Sequence, residues 1–165
     1  MQYGTAKPDP SFHVLKKIRM EFFSEIQHPH LDIPALKNLL TIDNLPSLCA
    51  SISSAMPDSD NTGNIYCLWG AFSLRRDEIR NGVRYALLDC PHALTWTITA
   101  DEANEALIVH CTIDKTQPDP EFAESIEVFV SDWSDGLRNA LAGQAACFAP
   151  GVAGSFTQST GAGSS

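Results

Sequence analysis

The chain has 165 residues, 44% of them hydrophobic and 19% charged, a composition that fits one globular domain with its own core and excludes a disordered or fibrous chain. The net charge is −9, with eleven Lys and Arg against twenty Asp and Glu, which argues against nucleic acid and anionic membrane surfaces, since both are bound through basic patches. No run approaches ~18 consecutive apolar residues, and the N-terminal stretch lacks the charged start and apolar core of a secretory signal, so neither is expected.

Residues 1–10, with Pro8 and Pro10, are expected to be a flexible arm. Ser11 stands as an N-cap, and Phe12, Leu15, Ile18, Phe22 and Ile26 follow at helical spacing. Pro29 would end that helix. Asp32 with Pro34, and Asn44 with Pro46, repeat a cap-and-proline start and predict two short helices. The second of these takes in Leu48 and Ile52, and Pro57 closes it.

The turn-rich "DSDNTG" then separates helices from strands. "NIYCLWGAFSL" predicts one buried strand. Asn81-Gly82 predicts a hairpin with a type I′ turn, leading into "VRYALL"; a short helix over "SLRRDEIRNG" is the alternative, and the mixed charges there suit a solvated face. Pro91 predicts a bend near Cys90 and His92. "ALTWTITA" and "ALIVHCTI" alternate apolar and polar residues on either side of the polar turn "DEANE". For their apolar faces to coincide, even-numbered residues must pair with odd-numbered ones. That brings Trp96 near Val109, Leu94 near Cys111, and His110 opposite a threonine.

Asp119 as cap, Pro120 at the first position and Glu121 in the first turn mark a last helix. Its apolar stripe is Phe122, Ile126, Phe129, Val130, Trp133, Leu137 and Leu141. Gly136 is its weak point, and Gly143 is the expected stop. Residues 144–165 contain few large apolar groups and are expected to form a flexible tail.

Five cysteines, an odd number with no CxxC pair, predict free thiols and a reducing, cytoplasmic setting. Cys90, His92 and Cys111 have the residue types of a zinc site. They lack a second close-spaced pair, and Cys111 reads better as a small buried hydrophobe. His28, His30 and Asp32 read as helix-terminal residues. No metal and no cofactor is therefore expected, and no dinucleotide, phosphate-loop or hydrolase motif occurs.

The expected fold is a single α+β domain over residues 11–143. It has N-terminal helices, an antiparallel meander of about four strands, and the long C-terminal helix packed on one sheet face. Glu121, Glu124, Glu127, Asp132 and Asp135 lie off the apolar stripe of that helix. They suggest a docking surface for a basic protein, and with it a non-catalytic accessory or assembly factor. The alternative is a small-molecule binding protein or enzyme with a pocket between sheet and helices. Trp69, Tyr85, Trp96 and Cys111 would line it, and Cys90 with His92 would supply its chemistry.

Overall fold

The alternating stretches around "DEANE" form a hairpin in the computed structural model, which describes residues 20–148 apart from Pro29, Leu31 and Thr116. The arm 1–10, the first part of the expected helix (11–19) and residues 149–165 of the expected tail lie outside the described residues.

Seven strands form one antiparallel sheet in the order β1-β7-β6-β5-β4-β3-β2. They are β1 (Met20–Gln27), β2 (Ile52–Pro57), β3 (Thr62–Cys67), β4 (Gly70–Ile79), β5 (Gly82–Leu87), β6 (Thr95–Asp101) and β7 (Ala106–Ile113). Strands β2 to β7 run as a meander. Two short helices, α1 (Ile33–Leu39) and α2 (Leu45–Leu48), carry the chain from β1 at one sheet edge to β2 at the other. The long helix α3 (Pro120–Phe148) packs on β1, β7 and α2.

The class α+β holds, but the count of about four strands is corrected to seven among the described residues. The expected first helix is, from Met20 onward, a strand. Phe22 and Ile26 are four apart, which places them on one face of a helix and also on one face of a strand. The free edge of β7 decides between the two: Phe22 pairs with Cys111 and Ile26 with Leu107. Ile52 belongs to β2 rather than to the helix before it. "NIYCLWGAFSL" is two strands, because Leu68 and Trp69 form a turn and Gly70 takes φ +116°, a value open to glycine and costly for other residues.

The hairpin at Asn81-Gly82 exists, but its turn is Arg80-Asn81, and Ile79 pairs with Gly82. Gly82 is needed for space rather than for a turn, since a Cβ there would overlap the Ile98 carbonyl oxygen. Arg75 is exposed, but Arg76 is 5% exposed, which corrects the solvated-face reading of "SLRRDEIR". Arg76 Nε donates to Leu40 O at 2.6 Å and its Nη2 to Lys37 O at 3.0 Å, so it caps the end of α1. Asp32 and Asn44 stand at the N-caps of α1 and α2 without a side-chain capping bond.

In the β6–β7 hairpin the expected parity is observed with a shift of two residues. Trp96 pairs with Cys111, Ile98 with Val109, and His110 with Thr97. Asp101 sets this register. Its carboxylate accepts the Asn104 backbone N–H at 3.2 Å and its side-chain amide at 2.7 Å. The turn therefore closes on the pair Asp101–Ala106.

Helix α3 begins as expected, with Asp119 Oδ1 accepting the Glu121 N–H at 3.0 Å. It runs through Gly143 to Phe148; helix propensity outlasts one exposed glycine, so the expected stop is corrected. Ile126, Phe129, Val130, Trp133, Leu137 and Leu141 are buried against the sheet. Burial of each contributes about 1.5–3 kcal/mol. Gly136 is where α3 meets α2: a Cβ there would overlap the Leu48 carbonyl oxygen.

Candidate functional site

The end of the sheet where β3 turns into β4 and β5 connects to β6 holds a cavity of about 200 Å³. Trp69, Phe72, Cys90, Pro91, His92, Leu94 and Phe122 line it. The Trp69 indole enters from the β3–β4 turn, held by its Nε1–H donating to Ser125 Oγ on α3 at 2.8 Å. Its ring lies 5.9 Å from Phe122 and 5.0 Å from Phe129.

Loop 88–94 forms the second wall. Leu88 N–H donates to Ser73 O, and Asp89 Oδ1 accepts the Ser73 N–H, each at 2.9 Å. These bonds pin the loop to β4. Ala93, at φ +46°, closes a turn by donating its N–H to Cys90 O at 3.0 Å. Asp114 N–H donates to His92 O at 2.8 Å and ties the loop to the end of β7. The His92 ring rests 4.7 Å from the Phe122 ring. The result is an apolar pocket with one thiol and one imidazole in its wall.

The pocket brings Trp69, Cys90 and His92 together. Tyr85, Trp96 and Cys111 lie elsewhere, in the core beneath it, so their placement in the pocket is corrected. Tyr85 and Trp96 stack with centroids 5.1 Å apart, and the Tyr85 hydroxyl donates to Leu40 O at 2.7 Å. Burial pushes the Tyr85 hydroxyl up from its usual range. Burial also raises the Cys111 thiol to about 12, so it stays protonated and is a poor nucleophile or metal ligand. Parity put Trp96 and Cys111 on the apolar face, and that face points at α3 rather than at the opening. Phe72, Leu94 and Phe122 were missed as pocket residues. Phe122 begins the apolar stripe of α3, and nothing in the stripe marks its first member as half-buried.

Glu121, Glu124, Glu127 and Asp135 are exposed, but Asp132 is half-buried and accepts the Ser51 hydroxyl at 2.5 Å. Asp135 pairs with Arg138 at 3.1 Å. Among the described residues no three His, Cys, Asp or Glu side chains gather as a metal site, and no helix is long and apolar enough to cross a membrane. A wider groove of about 600 Å³ lies at the opposite end of the sheet, lined by residues such as Arg80, Asn81, Asp101 and Glu102, with no aromatic ring.

The chain matches no protein-family model. No curated protein matches it either. Solved structures do match its fold. A protein from Bacillus thuringiensis is similar at 15% identity, over 75% of this chain and 98% of that one, with a TM-score of 0.53. A START superfamily protein from Mycobacterium smegmatis is similar at 10% identity, over 79% and 99%, with a TM-score of 0.48. A di-domain ARO/CYC from the BE-7585A biosynthetic pathway is similar at 12% identity, over 79% of this chain and 47% of that one, with a TM-score of 0.42. The expectation of a protein-binding accessory factor is corrected: the described residues enclose an apolar pocket with one thiol and one imidazole in its wall, the arrangement of the small-molecule alternative.

Proposed function

We propose that this protein binds a small, largely apolar molecule, with a single aromatic ring as its core, in the pocket between Trp69, His92 and Phe122. The observation that carries this reading is the pocket's lining: three aromatic side chains, a proline and a leucine around two polar groups. Ligand sites have that make-up, mostly apolar with a few placed polar groups.

Volume selects the ligand size. Pockets for drug-sized molecules run to about 300–1,000 Å³, whereas an apolar cavity of about 150 Å³ takes benzene. About 200 Å³ therefore suits one ring with a few further atoms. The Trp69 and Phe122 rings offer faces and edges for stacking. Cys90 and His92 provide a weak donor and an imidazole for one polar substituent.

The test is ligand-dependent stabilisation and tryptophan fluorescence across single-ring, two-ring and long-chain apolar compounds. Single-ring compounds are expected to raise the melting temperature and perturb Trp69 emission, and F72W, which fills the pocket, to abolish both. Equal response to long-chain lipids, or an unchanged response in F72W, contradicts the reading.

A further inference from the structure

We propose that the outer face of the sheet, across β1, β7, β6 and β5, docks a second copy of this chain about a two-fold axis that runs along the strands between β6 and β7. The described helices pack on the other face, the one that carries Tyr85 and Trp96. The docking is independent of what the pocket binds.

Strand pairing sets the outer side chains in level rows. Phe23, His110, Thr97 and Arg84 form one row from the β1 edge inward. The row on one side of it runs from Glu21 to Ala86, and the row on the other from Glu25 to Gly82. Phe23 is 73% exposed, and Glu21, Glu25 and Arg84 are exposed as well. Asp77, level with Arg84 on β4, pairs with Arg75 at 3.0 Å. The face is therefore acidic and aromatic at β1 and carries a cation at β5. Half-buried threonines, Ile108 and His110 make up the strip between them.

That pattern is self-complementary in one orientation. Rotation about an axis along the strands lays β1 of one copy over β5 of the other, and β7 over β6. Arg84 then covers the Phe23 ring between Glu21 and Glu25, a cation–π contact flanked by two carboxylates. Ala86 and Gly82, on either side of Arg84, leave room for the two glutamates. In the central strip no like charges oppose one another. A two-fold axis across the strands would instead lay each strand on itself and set Glu21 against Glu25. Charge thus selects the first arrangement, an isologous pairing in which each contact occurs twice.

Size sets the strength. Four strands about 4.8 Å apart, each of about seven residues at about 3.3 Å, present roughly 20 by 23 Å of face, about 450 Å² per copy. A standard interface buries about 800 Å² per partner, so this one is small. Its dissociation constant is expected at about 10–100 μM.

The test is sedimentation equilibrium of the full chain from about 1 to 300 μM, a range that brackets the expected constant. The native chain is expected to pass from monomer to dimer across it. R84E sets a third carboxylate between Glu21 and Glu25, and E21K/E25K flanks Arg84 with two more cations. Each variant alone is expected to weaken the dimer about tenfold or more. An equimolar mixture of the two is expected to dimerise as the native chain does, because each substituted end then meets its opposite charge. That recovery also shows that both variants fold. A native chain that stays monomeric throughout, a dimer that neither variant weakens, or a mixture as weak as its components overturns the proposal.

Discussion

Trp69 on the β3–β4 turn donates its indole N–H to Ser125 on α3 at 2.8 Å. This bond ties the turn to the helix and fixes one wall of the pocket. Ser125→Ala leaves the indole unpaired in a half-buried site. We expect a loss of about 1 kcal/mol, a drop of about 3 °C in melting temperature, and weaker binding of single-ring ligands. Calorimetry and a fluorescence titration check both effects. An unchanged melting temperature would mean that the bond does not hold the wall.

The two described glycines of α3 should respond in opposite directions. Gly136→Ala drives a Cβ into the Leu48 carbonyl and should cost about 1–3 kcal/mol. Gly143→Ala meets nothing within 4 Å and should gain about 0.5–1 kcal/mol from helix propensity. Denaturant titration of the two variants measures this. Equal effects would contradict the close approach of α2 and α3.

The faces of the β6–β7 hairpin give a third contrast. Trp96 is 1% exposed and stacks on Tyr85, so Trp96→Ala should cost about 3–5 kcal/mol. His110 is half-exposed, and its Nε2 stands 3.6 Å from Glu21 Oε2. Its replacement by Ala should stay within about 0.5 kcal/mol.

That contrast was legible in the sequence, because alternation by two assigns faces however the register falls. The helix α3 was equally legible, since Asp119, Pro120 and seven apolar residues at helical spacing agree. β1 was not legible. A spacing of four satisfies both periods, and only the partner β7, far away in sequence, chooses the strand. β2 was hidden because "SSAMP" at a sheet edge shows no alternation. Of the candidate site, Trp69, Cys90 and His92 were named, but Phe122 and Phe72 were not. The pocket is made by two turns meeting the first turn of a helix, a juxtaposition that no local pattern encodes.

Buried thiols predict an alkaline limit to stability. Burial raises Cys49 and Cys111 from 9.0 to about 12 and moves Cys67 the same way. A raised value means that the folded state keeps the proton longer than the unfolded chain. The stability of the protonated thiols is therefore intact below pH 9 and is lost as pH rises towards 12. In that window each thiol costs up to about 1.4 kcal/mol per pH unit. Urea unfolding in a reducing buffer from pH 8 to 11 measures the slope. Cys111→Ala should flatten it, and an identical slope in that variant would contradict the burial.

The most direct test of the account is a heteronuclear NMR titration of the native protein with phenol, a single ring carrying one polar group. The account predicts saturable shifts at the Trp69 indole N–H and the His92 and Phe122 rings, with the Trp96 and Trp133 indoles unmoved. Saturable shifts centred instead on Arg80, Asn81 and Asp101 at the far end of the sheet, or no saturable shift at millimolar phenol, would contradict it.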